Sequence, residues 1–472
     1  MEHTATSRES RLRRWLMRPT SIAPLVVFRV VFGGMMAASV VRFAAHGWIT
    51  QLYVEPSFHF TYYGFGWVKP LGDGWMQLWF AVMGIAAVAM MLGAFYRVAA
   101  VVFFVTFTYV ELIDVTNYLN HYYFVSIVGF LMIWVPAHRS FSVDVLRRPS
   151  IRATRVPAWT IDLFKVQLGF VYVFAGLAKL NPDWLFEAMP LKLWLPAQSH
   201  TPIVGPLLQL PITAYLFSWA GALYDLFIVF FLLWQRTRPL AYAAVVAFHV
   251  MTAILFPIGM FPYIMIGATL IYFSPAFHEK LLNTLSRLWP FKKGQTSDTP
   301  ARDIVWTPSR RAGGALAVLM AAHFALQLFL PVRYMLYPGE LFWTEQGYRF
   351  SWRVMLMEKA GYTVFNVTDP ETGQTWQTAN WEYLTPQQEK MMATQPDLIL
   401  QYAHFLESEY AKEGRANVEI RAESYVTLNG RRSRPFIDPT VDLTEIAPGF
   451  RPKTWILPFE DGQLNATLTR SR

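Results

Sequence analysis

Nine apolar runs, at about 22–45, 75–95, 97–113, 120–136, 161–181, 213–234, 239–256, 262–275 and 313–331, leave this chain few folds to choose from. Most are roughly 17–24 residues long, which is what a helix needs to cross a hydrocarbon core of about 30 Å. Inside such a core every backbone N–H and C=O must be bonded within its own segment, so the runs predict transmembrane helices. The basic residues test the count. With residue 1 on the inner side, the short inner segments hold twenty Lys and Arg, while the outer loops hold two, Lys69 and Lys192. One missed span would invert every later loop and destroy that bias. An odd number of spans places everything after residue 331 on the outer side. The fold class expected is therefore an α-helical polytopic membrane domain over residues 1–331, followed by an extracytoplasmic domain over residues 332–472, with a cytoplasmic N-terminus.

The formal charge of +9 is accounted for by the inner segments and needs no nucleic-acid partner. The absence of cysteine excludes disulfides and thiolate metal sites. No Gly-rich phosphate loop, H-E-x-x-H or G-x-S-x-G occurs, and no histidine spacing suggests a metal, so none is expected. Arg8, Arg11, Arg13, Arg14 and Arg18 precede a full-length first span with no small-residue cleavage site, so that span is expected to be retained.

The outer loop 46–74 is dense in Trp, Tyr and Phe, which fits either an interfacial belt or a lid over a lateral opening. G-Q-T-S-D-T-P (294–300) reads as a polar linker before the ninth span. After Pro331, residues 361–380 suggest two strands around a D-P-E-T-G turn, and 386–413 carry helical spacing. Residues 417–428 alternate as a strand running into the hairpin signal Asn429-Gly430. A small β-sandwich with one helix is expected. Asn366 and Asn465 begin N-x-T sequences.

Ionisable groups inside the membrane cost about 2.5–3.5 kcal/mol each, so they carry the information about function. Lys179 ends span five near the outer surface, where it either snorkels or serves a site. Counting along the helices puts Asn120, His121 and His249 in the same outer half. Arg29 and Asp225 come out at similar depth near the inner side, which predicts a buried structural pair. Glu111 and Asp114 are expected at the water-accessible outer end of span three.

Several long motifs, in one order along nearly the whole chain, resemble the vitamin K-dependent γ-glutamyl carboxylase family. They include F-R-V-V-F-G (28–33), N-H-Y-Y (120–123), V-Y-V-F-A-G-L-A-K-L-N-P-D-W (171–184), W-A-G-A-L-Y-D-L (219–226) and F-H-V-M-T-A-I-L-F-P-I-G-M-F-P-Y-I-M (248–265). Beyond the membrane, G-Y-R-F-S-W-R-V-M (347–355) and F-I-D-P-T-V-D (436–442) also match. The resemblance implies a membrane enzyme that oxygenates reduced vitamin K and carboxylates peptide glutamate, with O2 and CO2 as co-substrates. It implies Lys179 as the base for the quinol, Asn120, His121 and His249 as quinol-site support, and Trp352 and Met355 in the glutamate region. The implied partners are membrane lipid and a glutamate-containing protein or peptide.

The chain also departs from the family. The animal enzymes carry a second lysine where Ala178 stands, Trp-Asp-Met-Met becomes Trp352-Arg353-Val354-Met355, and a later histidine becomes Met357. Quinol oxygenation without CO2 fixation, and a non-catalytic binding or transport role, therefore stand beside the leading reading.

Overall fold

The structure, a computed structural model, describes residues 11–72, 74–286 and 304–460. The expected linker at 294–300 and the sequence at Asn465 lie outside the described residues.

The apolar runs become α1 (Ala23–Ala45), α2 (Trp75–Leu92), α3 (Tyr96–Ile113), α4 (Asn120–Trp134), α5 (Trp159–Ala178), α6 (Pro211–Leu233), α7 (Arg238–Leu255), α8 (Phe261–Thr269) and, after α9 (Pro275–Ser286), α10 (Arg310–Val332). Among the described residues, seven helices are long and apolar enough to cross a membrane, namely α1, α2, α3, α5, α6, α7 and α10. The other two expected spans are shorter. At 15 residues, α4 extends about 22 Å, and α8 passes after nine residues into a 3-10 turn at Leu270–Tyr272.

The two ends of the helical bundle are built differently. At one end, β1 (Pro19–Ser21) pairs antiparallel with β2 (Arg155–Pro157), and Val305 bridges to Arg155. The Ser21 hydroxyl donates to Glu279 at 2.7 Å. The segments before α1, between α4 and α5, within α9 and before α10 thus share one end. At the opposite end the loops meet the C-terminal region.

That region holds β3 (Lys359–Thr368), β4 (Thr375–Gln377), α11 (Pro386–Met392), α12 (Pro396–Lys412), β5 (Glu419–Leu428) and β6 (Arg434–Pro435). The D-P-E-T-G turn forms as read: Asp369 accepts from the Glu371 backbone N–H and Gly373 takes φ +71°. Asn429 and Gly430, both at positive φ, turn β5 toward β6. The expected sandwich is replaced among the described residues by one antiparallel sheet in the order β4-β3-β5-β6. The alternating buried face of β5 is covered by α12 through Leu398, Tyr402 and Leu406, so a helix does the work expected of a second sheet.

The C-terminal core does not stand apart from the bundle. Phe60, Val115, Trp184, Leu191 and Ala222 belong to the same buried cluster as Phe365, Tyr402 and Val426. Within the aromatic loop 46–74, Phe58 lies 4.3 Å from the Phe405 ring and Phe60 6.4 Å from Tyr402, while Tyr63 and Trp67 stay exposed. Gln401 fixes the loop by accepting from the Thr61 N–H at 2.7 Å and donating to the Thr61 carbonyl at 3.0 Å. Asp114, expected to meet water, is buried and accepts from Gln388 at 2.8 Å.

Candidate functional site

Lys179 caps the C-terminus of α5 and is only 6% exposed. Its side chain folds back along the helix, as helical side chains do, and brings Nζ within 3.4 Å of the Ala175 carbonyl. There Nζ donates to Asp225 Oδ2 at 2.6 Å. Gly176 permits the pair. A Cβ at that position would stand 2.7 Å from the Leu226 nitrogen and 3.0 Å from the Asp225 carbonyl carbon. The missing side chain is what allows α5 and α6 to approach so closely.

The expected Arg29–Asp225 pair is therefore corrected. Arg29 is fully buried elsewhere, donating to the carbonyls of Ala137 at 2.9 Å and of Phe141. Counting residues gives depth only if all spans end level, and it says nothing about which helix faces which. Here α6 begins well beyond the end of α5, and it packs on α5 rather than on α1.

Lys179 and Asp225 open onto a cavity of about 430 Å³ walled by α5, α6, α7, α8 and the C-terminal region. Its surface is overwhelmingly apolar, with a few polar groups at fixed places, which is the usual make-up of a small-molecule site. His249 contributes from α7 at 1% exposure. Its Nδ1 lies 2.9 Å from the Val245 carbonyl, and that contact requires a proton on Nδ1. In the neutral ring Nε2 then keeps a lone pair. Tyr172, one heptad before Lys179 on the same helix face, and Tyr224, next to Asp225, add two phenols. Sequence reasoning missed both, although their spacing from Lys179 and Asp225 was the available signal. It also missed Trp184 and Trp194, which wall the cavity beyond the end of α5.

The C-terminal region closes the cavity with Val354 and Met355. Their segment is strained, since Phe350, Trp352 and Met355 all take φ between +53° and +61°. Each such residue costs on the order of 1–3 kcal/mol and persists only where its surroundings enforce it. Tyr118 accepts from the Phe350 N–H at 2.9 Å, Arg333 donates to the Arg349 carbonyl at 2.7 Å, and Asn120 donates to the Arg353 carbonyl at 3.0 Å. Asn120 thus anchors the strained segment rather than lining the cavity. His121 is buried behind Phe261, whose ring lies 6.0 Å from His121 and 5.7 Å from His249. Trp352 is buried against Tyr123 at 4.9 Å. Of the residues expected at one site, Lys179, His249 and Met355 share the cavity, while Asn120, His121 and Trp352 stand outside its wall.

The loop after Lys179 is clamped to the β5–β6 turn. Asp183 accepts from Arg431 at 2.6 and 2.9 Å and from Asn429 at 2.6 Å. Trp194 donates to Glu358 at 2.7 Å nearby. Burial alone would raise the Asp183 carboxyl, but the hydrogen bonds from Arg431 and Asn429 outweigh it and hold the carboxyl below its ordinary value. A carboxyl lowered on folding stabilises the fold above the ordinary value of about 4, and that contribution is lost as pH falls through the lower folded value. Melting followed from about pH 6 to about pH 3 should therefore fall off below about pH 4, and Asp183→Asn should flatten that part of the curve.

Fold and site together define a membrane protein whose bundle holds an apolar cavity closed by its own C-terminal region. Residues 17–277, more than half of the chain, match the HTTM domain, and residues 313–462 match the lumenal domain of vitamin K-dependent gamma-carboxylase. The chain belongs to the vitamin K-dependent gamma-carboxylase family, with an HTTM membrane domain. No solved structure matches it.

Proposed function

We propose that this protein oxygenates reduced vitamin K and couples that reaction to carboxylation of a peptide glutamate by CO2. The observation that carries the reading is the placement of Lys179, a buried amine on the wall of an apolar cavity that the C-terminal region closes. A hydroquinone head group fits such a wall, because it is flat and apolar with a hydroxyl at either end. The cavity offers aromatic faces, with Lys179 and His249 as separate polar poles. When bound, reduced vitamin K supplies with O2 the strong base that no side chain can provide for a glutamate γ-proton.

Lys179, in its amine form, takes the proton of one quinol hydroxyl. His249 presents the Nε2 lone pair to a second donor and orients it. Val354 and Met355 keep bulk water from the reacting atoms, which a carbanion awaiting CO2 requires. In this reading α4 and α8 also cross the membrane despite their length, giving nine crossings. The N-terminus and the end carrying β1 and β2 lie in the cytoplasm, and the C-terminal region faces the other side. The sharing of one end by parts of three Lys- and Arg-rich segments, 1–21, 137–160 and 276–312, supports this arrangement.

Oxygenation without CO2 fixation is the second reading. It is favoured by Trp352 lying off the cavity wall and by Arg353, whose guanidinium donates to the Pro331 carbonyl at 3.1 Å. One assay separates the two. Purified protein is given reduced vitamin K, O2, CO2 and a glutamate-containing peptide, and quinone epoxide and fixed CO2 are measured separately. Both products are expected. Epoxide alone selects the second reading, and the absence of both rejects quinol chemistry.

A further inference from the structure

The Lys179–Asp225 contact bears directly on how a lysine in this position works as a base. A quinol proton arriving on the amine creates an ammonium in an apolar cavity, and an unpaired buried charge is costly. Asp225 Oδ2, 2.6 Å from Nζ, is placed to carry the opposite charge. The remaining titratable groups on the described cavity wall are Tyr172 of α5, Tyr224 of α6 and His249 of α7, and the segment from the C-terminal region adds only Val354 and Met355. No other carboxylate lines the cavity among the described residues.

Resting on the proposed quinol chemistry, we infer that Asp225 is the positioning residue for Lys179. It aims the amine at the cavity and neutralises the ammonium that forms there. In the step itself the quinol O–H bond breaks and an N–H bond forms on Lys179. The electron pair stays on the quinol oxygen, and Asp225 remains a carboxylate throughout. Nothing is oxidised or reduced in this transfer. Asp225 acts only through Lys179, so its loss should slow the proton transfer and leave quinol affinity nearly unchanged.

The test uses the full-length protein with Asp225→Asn, Asp225→Ala and Asp225→Glu. Asparagine keeps an acceptor oxygen without the charge, alanine removes both, and glutamate keeps the charge on a longer arm. At saturating quinol, epoxide formation should fall by about tenfold or more in Asp225→Asn and by about a hundredfold in Asp225→Ala, with quinol affinity within about threefold of wild type. Asp225→Glu should recover at least about a tenth of the wild-type rate. A second readout does not depend on turnover. Modification of Lys179 by an amine-reactive reagent, followed by peptide mass spectrometry, should be faster by about fivefold or more in Asp225→Asn than in wild type, because no carboxylate then favours the unreactive ammonium over the amine.

Asp225→Asn serves where Asp225→Ala fails to fold, since it preserves side-chain volume. Wild-type turnover in a folded Asp225→Asn protein, or unchanged labelling of Lys179, would overturn the inference. Faster labelling together with no epoxide from wild type would support the pair and reject the quinol reading instead. The two failures are thus distinguishable.

Discussion

Lys179→Ala is expected to reduce quinone epoxide formation by about a thousandfold, the loss typical of removing a positioned general base. Carboxylation should fall in parallel, because the proton taken by Lys179 starts both reactions. The substitution has a second effect that must be separated from the first. It leaves Asp225 buried with no cation, which costs about 3 kcal/mol or more. Lys179→Ala should therefore lower the melting temperature as well as the rate. Combining it with Asp225→Ala removes the stranded charge. The double variant is expected to regain most of the stability and none of the activity. Epoxide at the wild-type rate from either protein would exclude Lys179 as the base.

The second large effect is predicted at a residue with no side chain. Gly176→Ala adds a Cβ that meets the α6 backbone at 2.7 Å, and backbone cannot rotate away as a flexible side chain would. Alanine is the better helix former by about 1 kcal/mol, but overpacking a close helix contact costs about 1–3 kcal/mol. The net expectation is a protein destabilised by up to about 2 kcal/mol in which α5 and α6 have moved apart. That movement lengthens the Lys179–Asp225 contact, so activity should fall even though every titratable group is retained. Melting and epoxide assays on the same preparation check both halves. A more stable and fully active Gly176→Ala protein would show that the close approach is not needed.

What could be read from the chain divides along physical lines. Helices buried in lipid announce themselves, because satisfying the backbone forces long apolar runs, and α1, α2, α3, α5, α6, α7 and α10 were legible for that reason. The turn at Asp369–Gly373 and the β5–β6 hairpin were legible from residues suited to positive φ. The single sheet was not, since the alternation of β5 records that one face is buried and not whether a helix or another sheet covers it. At the site, polarity within apolar spans brought Lys179 and His249 forward and the resemblance added Met355, and the structure gathers these three around one cavity. The partner of Asp225 stayed hidden because a span boundary fixes height and leaves rotation about the helix axis free. The anchoring part played by Asn120 stayed hidden too, since it depends on a carbonyl 233 residues away.

The shared core also sets a timetable for making the protein. Thr61 and Gln401 hold one another across 340 residues of sequence. At ribosomal speeds of about 5–20 residues per second, the second partner follows the first by roughly 15–70 s. Throughout that interval Phe58 and Phe60 have emerged without the α12 surface that covers them. The newly inserted bundle must therefore wait with an uncovered aromatic loop at the end where the C-terminal region docks. Its vulnerability to aggregation or proteolysis is concentrated in this stage of synthesis, before the last 140 or so residues arrive.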